Sequence, residues 1–248
     1  MAKEEKIYIY GKHAVMEALA NKPESLKKVF LANQDDAELM ALVNKSGVSV
    51  AKFNGSETGG LDRDAKHQGI IGLLSVDRLV LNYDNFIKNL KITPDTCLVI
   101  LGELQDPQNV GSIIRTSAAM GIAGIFIPEH NQAPVTGAVV KVSAGMAFRV
   151  PLIQIGNINN LIKDLKEKGF WIYGLDGESK QILNDEKFET PTVFIIGNEA
   201  RGIREKTREH CDVMLRIPMH KQCESMNAAV STAIALYAWS DRHPDALN

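Results

Sequence analysis

Three polar clusters between positions 109 and 227 of a 248-residue chain carry side chains able to grip and orient a reacting molecule. The first is Asn109-Val-Gly-Ser-Ile-Ile-Arg115, the second Gly197-Asn-Glu199, and the third Ile217-Pro218-Met219 followed by Ser225-Met226-Asn227. Each stands where an apolar run ends. Arg115 offers a planar fork suited to a bidentate grip on phosphate or carboxylate. Glu199 accepts hydrogen bonds, whereas Asn109 and Asn227 both donate and accept, and Ser225 supplies a hydroxyl. Gly197 permits close backbone approach to a ligand, and Pro218, which lacks an N–H, leaves the Ile217 backbone free to meet one. Taken singly, each has a plainer role: Asn109 caps a helix, Arg115 pairs with a surface acid, Glu199 is a first-turn carboxylate, and Ser225 and Asn227 cap the last helix. Taken together, they outline one reactive site.

The elements that must position these residues follow from the apolar periodicity. After Asp95 the pattern is regular. Strand 98–101 leads into a helix over 110–120, capped by Asn109 and closed by Gly121. Strand 124–127, a helix at 136–143, strand 150–155, helix 159–168, strands 171–175, 193–197 and 213–217, and a helix over 226–240 follow. Apolar runs alternating with helices imply a parallel, doubly covered α/β sheet, whose ligands bind outside the carboxyl ends of the strands. Residues 1–80 read as a separate small α/β domain, with strands at 7–10, 28–31, 48–53 and 70–75 and helices at 13–20 and 37–45. The Asn-, Asp- and Lys-rich stretch 81–95 reads as the connection, and 96–248 as the second domain.

Composition narrows the function classes. At 45% hydrophobic and 23% charged residues the chain is globular, and its charged N-terminus and lack of a long apolar stretch point to a cytoplasmic protein without a membrane span. Cys97, Cys211 and Cys223 are odd in number and lack C-x-x-C spacing, and the six His residues are scattered, so neither a disulfide scaffold nor a metal site is expected. The net charge of -2 gives no bulk signal for nucleic-acid binding; any RNA patch must arise from folding. No G-x-G-x-x-G and no G-x-x-x-x-G-K-[ST] occurs, which disfavours a dehydrogenase or P-loop enzyme. A donor without a diphosphate, such as S-adenosylmethionine, remains compatible.

The set Asn109-x-Gly111-x-x-x-Arg115-Thr116, Gly197-Asn198-Glu199 and Ile217-Pro-Met…Ser225-Met226-Asn227 resembles the three motifs of the SpoU (TrmH-type) RNA ribose 2′-O-methyltransferases of the SPOUT superfamily. Tyr10-Gly11-Lys12-His13-Ala14-Val15 and His67-Gln68-Gly69 resemble the substrate-binding domain of the branch that methylates a guanosine ribose in 23S ribosomal RNA. The resemblance implies an N-terminal L30e-like RNA-binding domain and a C-terminal domain with a deep trefoil knot, an exception to the un-knotted rule. It further implies that Gly197, Ile217 and Met226 contact S-adenosylmethionine. Asn109, Arg115, Glu199, Ser225 and Asn227 would build the reaction site across a homodimer interface. Met226 stands where the family commonly has Leu, a mild swap by volume, and Ala229 replaces a common Ser. Lys221 replaces a common Gly, and if that backbone needed φ > 0 the side chain would distort the donor loop. Phe148-Arg149 after Ser143-Ala144-Gly145 also departs from the pattern.

Transfer to a ribose 2′-hydroxyl requires in-line positioning and removal of a proton. Arg is effectively always protonated, so Arg115 is expected to clamp a phosphate and stabilise developing oxyanion charge, with Glu199 and Asn109 ordering the site. A 2′-hydroxyl target excludes DNA as substrate. Two alternatives stay open: a transfer-RNA 2′-O-methyltransferase, which the N-terminal domain argues against, and a non-catalytic RNA-binding or ribosome-assembly protein that lost donor binding through Lys221.

Overall fold

The structure, a computed structural model, describes residues 7–53 and 68–247. His67 of the expected His67-Gln68-Gly69 motif lies outside the described residues. The chain forms two compact units, Met1–Val80 with Val135–Arg149, and Leu81–Pro134 with Val150–Asn248.

In the first unit, strands β1 (Ile7–Tyr10), β2 (Leu26–Leu31), β3 (Val50–Lys52) and β4 (Ile70–Leu74) form a mixed sheet in the order β1-β4-β2-β3. Helices α1 (Lys12–Asn21) and α2 (Ala37–Ser46) bury Val15, Ala18, Leu39 and Val43. Helix α2 begins at an Asp36 cap that accepts from Leu39 N and ends at Gly47 in the left-handed conformation, as its sequence dictates. A short helix α3 (Val76–Leu79) closes the segment.

Residues 135–149, expected within the second domain, instead complete the first unit. Helix α6 (Gly137–Val142) packs on β1, where a Cβ at Gly137 would lie 2.1 Å from the Tyr8 carbonyl oxygen. Downstream, Phe148 is buried and Arg149 sends Nε and Nη2 to the Glu17 carboxylate at 2.7 and 3.0 Å. Phe148-Arg149, the departure that follows Ser143-Ala144-Gly145, thus has a local role, in which Arg149 anchors this segment to α1.

The second unit carries the larger sheet, ordered β10-β12-β9-β11-β6-β7-β8-β5. Its strands are β5 (Val80–Asn82), β6 (Cys97–Leu101), β7 (Gly124–Pro128), β8 (Leu152–Ile155), β9 (Trp171–Leu175), β10 (Gln181–Ile182), β11 (Thr192–Ile196) and β12 (Val213–Arg216). From β10 to β8 every pairing is parallel. Strands β6, β7 and β11 are buried along their whole length, as expected of a sheet covered on both faces. The stretch 81–95 is not a bare connection. Helix α4 (Tyr83–Asn89) is capped by Asn82 and drives Phe86 into the core, edge-on to Phe126 with ring centroids 5.9 Å apart. Tyr83, Ile87, Leu90 and Ile92 pack on the same cluster, so apolar burial outweighs the polar composition that suggested a linker.

Helix α5 (Pro107–Ala119) starts three residues earlier than expected. Asp106 is its cap, accepting from Gln108 N at 2.8 Å, and Pro107 takes the first turn, where a missing N–H costs nothing. Asn109 therefore lies inside the first turn and is freed from capping. Helix α7 (Ile158–Glu167), capped by Asn157, covers the α4 face of the sheet together with Phe86, and α8 (Glu205–Arg208) is a single turn. Helix α9 (Ala228–Ser240) packs against α5. Among the described residues no helix is long and apolar enough to cross a membrane.

Candidate active site

Strand β6 connects through α5 to β7 on one side, whereas β11 connects through α8 to β12 on the other. The carboxyl ends of β6 and β11 therefore meet at a topological switch point, where open α/β sheets bind ligands. Two glycines let the loops leaving these strands touch. The Gly102 N–H donates to the Ile196 carbonyl at 2.7 Å, and a Cβ on Gly102 would stand 2.6 Å from that oxygen. A Cβ on Gly197 would stand 2.5 Å from the Gly202 carbonyl carbon. Gly197 lines the cleft, but the contact that demands glycine there is backbone against backbone, not backbone against ligand.

The turn after β11 is built by Asn198. Its backbone exchanges two hydrogen bonds with Gly202, at 3.0 and 2.9 Å, and its Oδ1 accepts from Ala200 N and Arg201 N. Its Nδ2 donates to the Glu103 carbonyl at 2.8 Å. Glu199 is then aimed at the start of α5. Oε1 accepts from Asn109 Nδ2 at 3.0 Å and Asp106 N at 3.2 Å, and Oε2 accepts from Gln105 N at 3.2 Å. Asn109 Oδ1 in turn accepts from Asn227 Nδ2 at 2.8 Å. Asn227 Oδ1 accepts from Ala229 N and Val230 N and so caps α9. One carboxylate and two amides thus join all three polar clusters in a continuous relay, each donor facing an acceptor.

Desolvation is the largest single influence on the Glu199 carboxyl and raises its pKa. The Asn109 amide and the backbone N–H groups of Glu199, Gln105 and Asp106 together outweigh it, and the carboxyl titrates below its ordinary value. Glu199 is held ionised as an acceptor and is unsuited to act as an acid near neutral pH.

Beside the relay lies a cleft of ≈ 450 Å³, within the range of small-molecule sites. Gly197, Ile217, Met226, Glu199, Ser225 and Asn227 all line it, as do Leu175, Asp176, Ile196, Leu215, Met219 and Glu224. Its walls carry three carboxylates, of which Asp176 is paired with the Arg208 guanidinium, and no Lys, Arg or His is among its lining residues. Such a wall repels a diphosphate and suits an adenosyl group bearing a sulfonium and an ammonium, so the residues present fit S-adenosylmethionine. Lys221 is not among the residues with positive φ, so its side chain strains no backbone, contrary to expectation. Ser225 lies on the cleft wall and leaves capping to Asn227.

Arg115 is the sequence-selected residue that a single chain does not bring to the cleft. Six residues along α5 put it roughly 9 Å up the axis from Asn109 and about 120° around it. It is exposed and has no ion-pair partner among the described residues. A second, open groove follows α5 and α9, lined by Asn109, Ser112, Thr116, Asn227, Val230 and Tyr237. Val230 is 49% and Tyr237 60% exposed on an α9 that is apolar on most faces. Sequence reasoning missed Asn198, Gln105 and Asp176. The side-chain amide of Asn198 inside a quoted motif was the available signal; Gln105 acts through its backbone and Asp176 follows an ordinary strand. Burial raises both the Cys97 and the Cys211 thiols, Cys211 to about 11, which disfavours the thiolate at either. Among the described residues no cluster of His, Cys, Asp and Glu could hold a metal.

Comparison with known proteins agrees with this geometry. The SpoU rRNA Methylase family model matches residues 96–237, and a second model, described as RNA 2′-O ribose methyltransferase substrate binding, matches residues 8–76. A 23S rRNA (guanosine-2′-O-)-methyltransferase RlmB from Vibrio parahaemolyticus is 34% identical over 235 residues, covering 93% of this chain and 94% of that protein. The crystal structure of the SpoU methyltransferase AviRb from Streptomyces viridochromogenes, in complex with AdoMet, superposes with a TM-score of 0.81 at 19% identity, covering 97% of this chain and 91% of that one. The A. aeolicus TrmH/SpoU tRNA modifying enzyme reaches a TM-score of 0.55 at 23% identity and covers 62% of this chain and 78% of that one. With both units matched and the three polar clusters joined at one switch point, the chain belongs to the SpoU rRNA methylase family.

Proposed function

We propose that this protein methylates a guanosine ribose 2′-hydroxyl in 23S ribosomal RNA with S-adenosylmethionine as donor. The observation that carries the reading is the relay Glu199–Asn109–Asn227 at the rim of a carboxylate-bearing cleft. When bound, the donor supplies an electrophilic methyl group. Gly197, Ile217 and Met226 hold it in the cleft, and Asn109, Glu199, Ser225 and Asn227 order the acceptor side. Arg115, always charged, clamps an RNA phosphate and stabilises charge developing on the 2′-oxygen. The ribosomal reading is favoured over a transfer-RNA substrate by the 8–76 match and by the tRNA enzyme's coverage of 62% of the chain. The first unit then serves as the RNA-binding domain, and a ribosomal-RNA substrate puts the enzyme in the cytoplasm.

We further infer a homodimer, whose second copy covers the α5–α9 groove and brings its Arg115 towards the reaction site. The exposed Val230 and Tyr237, and an exposed Arg115 that is not among the residues lining its own cleft, support it. The trefoil knot is part of the same reading, supported by the packing of α9 on α5 and by the strand order β12-β9-β11-β6.

Transfer of labelled methyl to ribosomal and transfer RNA lacking ribose methylation tests the proposal. Label at one 23S guanosine is expected. Label in transfer RNA alone would move the substrate, and none with either, from folded protein, would leave an RNA-binding protein. Near-full transfer by Arg115→Lys would remove the bidentate clamp, and a monomer in sedimentation across concentration would remove the dimer.

A further inference from the structure

We propose that Glu103 and Arg204 are positioning residues for donor binding. Their ion pair, with the Asn198 amide, clasps the loop after β6 to the turn after β11 and so sets the polar wall of the cleft. The inference rests on the donor-binding reading above and assigns a role to residues outside all three polar clusters.

Glu103 stands at φ 65, a left-handed conformation that side-chain-bearing residues rarely adopt and that persists only where the surroundings fix it. Here three groups do so. Its carbonyl accepts from Asn198 Nδ2 at 2.8 Å and from Gln105 Nε2 at 3.3 Å. Its carboxylate Oε2 receives Arg204 Nε at 2.9 Å and Nη2 at 2.6 Å, two guanidinium nitrogens converging on one oxygen. The left-handed backbone is what turns the carbonyl to Asn198 while the side chain reaches Arg204.

Arg204 immediately precedes α8, and its carbonyl accepts from Thr207 N and Arg208 N, so its backbone is fixed while its side chain reaches across 101 positions of sequence. Neither Glu103 nor Arg204 lines the cleft, whereas Asn198, Glu199 and Gly202 do. The pair therefore acts through them. Without the guanidinium, Glu103 loses a restraint on its left-handed backbone, its carbonyl can leave Asn198, and the turn carrying Glu199 loses one of its ties to the β6 loop, those from Gly102, Gln105 and Asp106 remaining.

The test is titration of the full-length protein and its variants with S-adenosylmethionine, at low and at molar salt, alongside steady-state transfer. Glu103→Gln and Arg204→Gln are expected to weaken donor Kd about two- to fivefold, the size of an exposed ion pair. KM for the donor should rise in parallel and kcat stay within about twofold, because the relay keeps its partners. The exchanged pair Glu103→Arg/Arg204→Glu should recover most of the loss. The advantage of the unmodified protein should shrink at molar salt, where exposed charges are screened. Glu103→Gly, which suits the left-handed backbone, should fold normally and still bind the donor more weakly. Unchanged affinity in the single variants or in Glu103→Gly, no recovery in the exchanged pair, or a loss indifferent to salt would each overturn the clasp. An unmodified protein that takes up no donor would overturn the functional reading itself, and with it the purpose assigned to the clasp; normal uptake with unaffected variants overturns the clasp alone.

Discussion

Glu199→Gln is the most discriminating perturbation of the relay, because it keeps the shape of the side chain and changes only what the second oxygen offers. The closest contacts of Glu199 are all donors: Asn109 Nδ2 and Asp106 N on Oε1, Gln105 N and Asn198 Nδ2 on Oε2. A glutamine must present its NH2 to one of these pairs, so two donors lose their acceptor whichever way the amide turns. Hydrogen bonds to a charged group contribute roughly 1.5–3 kcal/mol when shielded, and solvent access to Glu199 reduces each to about 1 kcal/mol. The variant should lose about 2 kcal/mol, which for a chain of this size lowers Tm by roughly 4–8 °C. Methyl transfer should fall about tenfold or more, since Asn109 and Asn227 are oriented through the same carboxylate. The sign of the pH dependence follows from the lowered folded-state pKa. The stabilisation is complete above the ordinary carboxyl value of 4.5 and is lost as pH falls through the lower folded value. The stability difference between the unmodified protein and Glu199→Gln should therefore close on acidification. Thermal melts from neutral pH downward and single-turnover transfer read both effects. An unchanged melt together with an unchanged rate would refute the relay.

Asn227→Ala removes both the α9 cap and the donor to Asn109, and should cost about 1–2 kcal/mol in thermal unfolding; Asn227→Ser should restore most of the stability through capping but not the transfer rate. Lys221→Gly should leave donor affinity in calorimetric titration within about twofold, since the backbone at Lys221 requires no glycine. Gly197→Ala drives a Cβ to 2.5 Å from the Gly202 carbonyl carbon, and should destabilise the protein by about 1–3 kcal/mol in denaturant unfolding while weakening donor binding.

The periodicity of apolar residues was enough to specify the parallel sheet and the strand ends at which the three clusters stand, because burial on both faces imposes continuous apolar runs that a linear reading detects; the short edge strands β5 and β10 and the lateral order of the strands emerged only in the fold. Motif spacing likewise singled out Gly197, Glu199, Ile217, Ser225, Met226 and Asn227, which the fold gathers in one cleft. The role of Asn109 was decided only in three dimensions. Asp106 and Pro107 took over the helix start, and Asn109, buried in the first turn, became the link between two side chains that lie 90 and 118 positions away in sequence.

The same holds for residues whose local composition misleads. The polar segment 81–95 holds a core helix because Tyr83, Phe86, Ile87 and Leu90 find apolar partners on the distant strands β7 and β8. Residues 135–149 leave the second unit for the first because Gly137 fits beneath the Tyr8 carbonyl and Arg149 meets Glu17, 132 positions earlier. Glu103 and Arg204 belong to no motif, and only the approach of the β6 and β11 loops, which glycines at 102 and 197 allow, pairs them. Sequence alone determined which polar groups stand at which strand ends, since side-chain type and the period of burial are local properties. Tertiary structure decided which groups share a hydrogen bond, since that depends on backbone approach between segments a hundred residues apart.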